Sequence, residues 1–253
     1  MRTKLFFIAV AVFLAGQLNA QVFINKATIE YEVKTNIKKT MGTGVWEEMM
    51  KEAMPTFKTG YFTYTFADNK SIFKFDHWEK DMKMPEWYTK SDESFAWYFD
   101  FTNSKFNMNK NIAGSDFNIS DSVPVIEWHL SNESRIISGY NCRKAVGKMM
   151  DSVYVFAFYT DEITIPGGPC SVNGLPGMIL GLTIPRMYTS WIATKITVDK
   201  ADEKLIVPTT SKKVYTKASF KAMLDEHTKD WFGSSDDPDS KKWIEQFYWK
   251  QFL

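Results

Sequence analysis

Apolar and polar positions alternate over residues 27–34 (Ala-Thr-Ile-Glu-Tyr-Glu-Val-Lys), which predicts a strand with one buried face. Residues 45–58 switch to helical spacing, with Trp46, Met49, Met50 and Ala53 on one side and Pro55 as the stop. Residues 61–67 and 71–76 alternate again around Asp68-Asn69-Lys70, a hairpin pattern. The charged, turn-rich stretch 78–94 reads as a loop. Residues 96–101 and 105–111 predict a second hairpin, turning at Thr102-Asn103-Ser104. Residues 110–122 show no clear period, and residues 128–140 are interrupted by Ser131-Asn132-Glu133-Ser134. Residues 141–149 and 153–160 predict paired strands, and residues 188–198 and 205–215 a last pair. The period then changes. Residues 217–231 read as a helix capped by Thr216, with Phe220, Met223, Leu224, His227 and Trp231 along one side and Gly233 as its end. Asp237-Pro238 supplies a cap and first position for a second helix running to Leu253.

Between the strands lies the segment around which the rest is arranged. Residues 164–182 hold three of the nine prolines and five of the thirteen glycines. Gly174-Leu175-Pro176-Gly177 reads as a turn, with Leu175 extended because a residue before proline is pushed out of the helical region. Residues 178–184 (Met-Ile-Leu-Gly-Leu-Thr-Ile) then read as a buried strand. The segment is a rigid double bend feeding the core, and its role is assigned to folding. The sum is a mainly β protein with helices (α+β). Roughly nine strands form a strongly curved antiparallel, half-barrel-like sheet, covered by an early helix and two C-terminal helices from about residue 217. No repeat, low-complexity run or linker divides residues 21–253, so they read as one domain.

Composition adds a location. Arg2 and Lys4 precede an apolar run over residues 5–16, and Leu18-Asn19-Ala20 ends on a small residue, the form of a cleaved signal peptide over residues 1–20. The run is too short to span a bilayer comfortably. The expectation is export to the periplasm, with or without association to the outer membrane. A formal net charge of +1 supplies no field to recruit nucleic acid. Cys142 and Cys170 are the only cysteines, and in an oxidising compartment they are candidates for a disulfide. Closing that loop would remove up to about 3.6 kcal/mol of unfolded-state entropy. Two buried free thiols are the alternative.

The run Gly168-Pro169 … Gly174-Leu175-Pro176-Gly177-Met178-Ile179-Leu180 resembles the signature of the GLPGLI family, exported proteins of unknown function from one group of Gram-negative bacteria. Gly139-Tyr140-Asn141-Cys142-Arg143-Lys144-Ala145, Tyr159-Thr160-Asp161-Glu162-Ile163 and the strand at 27–31 resemble flanking parts of the same pattern, which covers residues 27 to about 215. Met178 stands where that family usually has Leu, and Phe158 where Trp is common. The resemblance implies an envelope protein rich in β structure and brings no activity with it. Asp121-Ser122-Val123 and Asp151-Ser152-Val153 resemble an O-glycan acceptor used by some bacteria with such proteins.

The sequence offers no catalytic constellation. It lacks a Gly-x-Ser-x-Gly elbow and a His-Glu-x-x-His helix. His77, His129 and His227 are scattered, and His77-Trp78-Glu79 provides two ligands where zinc wants three. Asp161-Glu162 and Asp236-Asp237 are neighbours in sequence, which on a strand face opposite ways. Methionine is the less routine signal. Met49, Met50 and Met54 cluster on the early helix, and Met82 and Met84 alternate in a polar loop as candidate Cu(I) ligands, with core packing as the alternative for the helix. The expectation is therefore a non-catalytic binding or carrier module. Its concave sheet face would hold an apolar ligand or an envelope partner, with no nucleic acid and no known cofactor. A methionine-based copper binder is the first alternative, and a hydrolase with an unrecognised site the second.

Overall fold

The computed structural model describes residues 24–42, 44–150, 152–232 and 238–253. The signal-peptide reading therefore lies outside the described residues, as do Asp151, Gly233 and Asp237. Among the described residues are twelve strands in one sheet. They are β1 (Lys26–Asn36), β2 (Phe57–Ala67), β3 (Lys70–Trp78), β4 (Ala96–Asp100), β5 (Lys105–Ile112), β6 (Ser115–Ser122), β7 (Glu127–Ile137), β8 (Tyr140–Met149), β9 (Val153–Thr160), β10 (Met178–Ile184), β11 (Thr189–Val198) and β12 (Val214–Tyr215). The helices are α1 (Ile37–Thr40), α2 (Val45–Ala53), α3 (Glu86–Glu93), α4 (Lys217–Phe232) and α5 (Pro238–Gln251). No helix among the described residues is long and apolar enough to cross a membrane.

The sheet consists of two meanders, β1 to β6 and β7 to β11, joined where β1 pairs antiparallel with β11. Tight turns set the hairpins. Asp68 and Asn69, Ala113 and Gly114, and Ser138 and Gly139 all take positive φ, which matches a two-residue connection to the twist of its strands. Curvature follows from connectivity. β6 and β7 lie ten strand positions apart in the sheet order, or about 48 Å if the sheet were flat. Residues 123–126 join them directly and can reach at most about 18 Å. The sheet must curl until its two ends approach, and it does so without closing. The half-barrel expectation is met in this form.

Alternation decides which side chains face the hollow. β1 sends Ile29 and Tyr31 inward, β2 Tyr64 and Phe66, and β4 and β5 Trp97 and Met108, all buried. Helices α4 and α5 close over this face through Phe220, Leu224 and Trp249. Trp97 Nε1 donates to the carbonyl oxygen of Leu253 at 3.1 Å, tying the last turn to the sheet. The Thr216 cap is as expected: its Oγ1 accepts from Ser219 N at 3.1 Å while Ser219 Oγ accepts from Thr216 N at 2.9 Å.

Several elements differ from the sequence reading. The stretch at 78–94 contains a helix, α3, and residues 110–122 contain β6. Residues 205–215 do not form a full strand. Ile206 packs on the convex side with Ala67 and Ile72, and only Val214–Tyr215 pair, parallel to β6. Helix α2 sits at the rim of the hollow. Val45 and Met49 are exposed, while Met54 after its end is buried.

Candidate functional site

The glycine-proline segment lies inside the curled sheet. Ile163, Ile165, Val172 and Leu175 are buried, and so are Cys170 and Ser171. Main-chain bonds lock it: Met178 N to Ile163 O at 2.9 Å and Ile179 N to Gly167 O at 3.0 Å. Trp128 Nε1 donates to Asn173 O at 3.0 Å, and Asn173 Nδ2 to Pro124 O at 3.4 Å, so the segment is also tied to the β6–β7 link. Its glycines are required by space. A Cβ at Gly168 would lie 2.9 Å from both Ile179 Cβ and Val172 O, and one at Gly177 2.0 Å from Thr160 O. Gly174 differs: its φ is +89°, but a Cβ there would meet nothing closer than 3.7 Å. Leu175 is buried and Pro176 exposed, bridged by a tight turn from Gly177 N to Leu175 O at 2.8 Å. The segment partitions the hollow, since Cys170 lines one cavity and Ser171 the other.

Cys142 and Cys170 are both free and buried, which corrects the disulfide expectation in favour of its alternative. Cys142, on β8, points its Sγ to the carbonyl of Tyr140 at 3.6 Å. Cys170 faces the cavity beside Trp191 and Lys110. Burial pushes the Cys142 thiol up to about 11 and the Cys170 thiol up to about 12, so neither is a poised nucleophile.

The larger cavity, about 950 Å³, opens between the concave face of β1, β2, β3 and β11 and the helices α2, α3 and α5. Its floor is aromatic. Phe62 stacks on Phe73 with centroids 5.3 Å apart, and Phe95 meets both edge-on at 6.3 Å. Thr35 and Thr189 share a hydrogen bond of 3.0 Å on the β1–β11 seam. Against this wall stands a buried charge cluster. Lys58 of β2 and Lys110 of β5 are only 7% and 6% exposed. Lys58 pairs with Asp92 of α3, and its ammonium lies 5.4 Å from the Trp78 ring centre and 5.1 Å from that of Tyr88. Lys110 donates to the carbonyl oxygen of Lys250 and lies 5.4 Å from the centre of Phe95. Lys250 Nζ, from α5, sits 3.9 Å from the second oxygen of Asp92. Burial alone would raise the Asp92 carboxyl, yet Lys58, Lys250 and Lys110 together hold it below the ordinary carboxylate value. Lys110 is pushed down to about 7, by burial first and by Lys250 next, with Asp92 opposing. Burial likewise lowers Lys58 against the pull of Asp92.

Sequence reasoning missed this cluster. Its signal was available in part: strict alternation through Phe106, Met108, Lys110 and Ile112 puts a lysine on the apolar side of β5, and Lys58 shares a face with Phe62. The expected site residues fall elsewhere. Met82 and Met84 are half-buried in the connection after β3. His77 is exposed, stacked on Tyr61 at 4.7 Å and bonded to Asp76 at 2.6 Å. Among the described residues no group of three or more His, Cys, Asp or Glu could hold a metal. Ser122, in the first Asp-Ser-Val triplet, is exposed at the end of β6, and Asp121 Oδ2 there accepts from Lys217 N at 2.9 Å.

Fold and site together define an open, curled antiparallel sheet that encloses a lined cavity beneath C-terminal helices. The chain belongs to the family of N-glycanase peptide N-terminal domains (PNGase F-II N), whose model matches residues 61–228. Among solved structures it is similar to PNGF-II in a P21 crystal form, at 14% identity with a TM-score of 0.53, covering 80% of this chain and 34% of that one. The C2 crystal form of PNGF-II matches at 16% identity and a TM-score of 0.51, covering 79% and 33%. The chain thus spans about a third of the length of these structures, and at such identities the likeness is one of fold. No curated protein sequence matches. The comparisons bring no further support to the GLPGLI resemblance, which stays one of motifs.

Proposed function

We propose that this chain is an exported, non-catalytic binding domain that takes a small molecule into the cavity between its concave sheet face and α5. The observation that carries the reading is the cavity itself. Its volume of about 950 Å³ falls within the usual range for small-molecule sites of about 300–1,000 Å³. It combines an apolar aromatic floor with a few converging polar groups. The glycine-proline segment supports it too: main-chain hydrogen bonds hold it inside the sheet, and its Cys170 forms part of the cavity wall. Native mass spectrometry of the full chain, purified from its own envelope, tests the reading. A retained small molecule, lost on denaturation, is the expected result. An unliganded mass, together with no heat on titration with apolar probes, would overturn it.

The family supports a second reading, in which the domain serves an N-glycanase. The matching model is of an N-terminal domain, and the chain corresponds to a minor part of PNGF-II. In that role it would hold a glycopeptide while chemistry is done on another part of the polypeptide or by another protein. Titration with a defined N-glycopeptide distinguishes the two: binding that survives when the cavity is blocked by a bulky substitution favours this second role.

A further inference from the structure

Three ammonium groups, Lys58, Lys110 and Lys250, surround one carboxylate, Asp92, at the inner wall of the large cavity. Glu47, the other charged residue lining it, belongs to the rim, beside Gly42 and Gly44. Lys58 is matched by Asp92. Lys110 then remains as the buried excess charge, with the half-exposed Lys250, 3.9 Å from the other Asp92 oxygen, beside it. Lys110 gives one hydrogen bond, to the carbonyl of Lys250, whereas an ammonium has three donors to place. A buried charge without full compensation is costly unless an opposite charge arrives. The aromatic rings argue against a neutral sugar as the guest. Lys58 already lies against Trp78 and Tyr88, which leaves Phe62 and Phe73, stacked side by side, as the apolar lining without a polar group against it. What remains is an apolar slot leading to a cationic end. The carboxylate of Asp92 would repel a dianion more than a monoanion.

Resting on the cavity reading above, we propose that the ligand is a monoanionic carboxylate amphiphile, of the medium-chain fatty acid class. Its carboxylate would sit between Lys110 and Lys250, and its chain would lie along Phe62, Phe73 and Trp191. The groups that act on Lys110 are Lys250 from α5, Asp92 from α3 and the Cys170 thiol from the internal segment, and Lys58 from β2 lines the same cavity. Burial lowers Lys110 to about 7, so it carries its charge at pH 6 and loses it above, and an anionic headgroup would favour the charged form. Binding should weaken as pH rises from 6 to 9.

Calorimetric titration of the full chain with decanoate, decanol and decyltrimethylammonium tests this. At pH 6 decanoate should bind about tenfold or more tighter than decanol, and this preference should shrink by pH 9. Lys110→Met should remove the preference while keeping decanol binding. Lys250→Gln, at a half-exposed position where folding is not at stake, should reduce it in the same direction. If none of the three probes binds, the cavity reading fails and this inference with it. If decanol or the ammonium probe binds as well as decanoate, or the preference survives both substitutions, the cavity reading stands and the carboxylate is overturned.

Discussion

Replacing Gly177 by alanine tests whether the internal segment is a wall of the fold. The new Cβ would lie 2.0 Å from Thr160 O, 2.8 Å from Thr160 C and 3.1 Å from Asp161 Cα. All three are main-chain atoms at the end of β9, so no side-chain rotation relieves the clash. The φ of +154° adds strain for any residue with a Cβ. Overpacking of this kind costs about 1–3 kcal/mol and the backbone strain about 1–3 kcal/mol more. A loss of about 3–4 kcal/mol corresponds to a fall in Tm of about 10 °C for a chain of this size. Gly174→Ala is the matched control. Its φ of +89° is equally unusual, but the space beside it is open to 3.7 Å, so only about 1 kcal/mol and about 3 °C should be lost. Thermal unfolding of the full-length variants, followed by circular dichroism, reads both. Equal shifts, or a Gly177→Ala variant within about 1 °C of the parent, would show that the segment yields and is not a fixed wall.

Lys110 carries its own pH signature. Its folded value is about 7 against an ordinary 10.5, so between these values the unfolded chain binds a proton that the folded one does not. Stability should therefore rise with pH across that window, by up to about 1.4 kcal/mol per unit, and urea unfolding of Lys110→Met should show a shallower slope; identical slopes would refute the assignment. Asp92→Asn should cost about 3 kcal/mol, because it strands Lys58 in the wall, whereas the double change Lys58→Met with Asp92→Leu should recover most of the loss in the same measurement. The depressed Asp92 contributes stability that is present above the ordinary carboxylate value and is lost as pH falls through its folded value, and the Asn variant should lack that acid-side loss. Thiol titration of the denatured, unreduced protein should find both Cys142 and Cys170 reactive, and the native protein should leave both unreacted over the same time; an unreactive pair in denaturant would restore the disulfide.

The fold was legible where local chemistry and pattern agreed. Asp68-Asn69 marks its hairpin because both residues tolerate positive φ, and the Thr216 cap marks the start of α4. β6 was hidden because it is paired through Ala113-Gly114, a weaker turn signal, and because Lys110 interrupts the apolar side of its neighbour. α3 was hidden because its sequence, Glu-Trp-Tyr-Thr-Lys-Ser-Asp-Glu, is polar enough to read as a loop. The site was the least legible part. Lys58, Asp92, Lys110 and Lys250 are spread over four elements, and nothing local distinguishes them from solvated charges. The burial of Lys58 and Lys110 is a property of the curled sheet, and the curl is imposed by a short link between distant strands. The pairing of the cysteines was the misleading part: both are as buried as a bridge would require, but each faces different neighbours.

The seam between β1 and β11 makes the polypeptide divisible. Residue 27 meets residue 198 there, while the stretch at 123–126 carries Val125 at 93% exposure. A protease cutting at that point would leave two pieces, each a complete meander, clasped edge to edge along the seam and by the internal plug. Mixed as separately produced halves, they should find each other and restore the chamber, whose aromatic floor comes from the first half and whose Cys170, Trp191 and Lys250 come from the second.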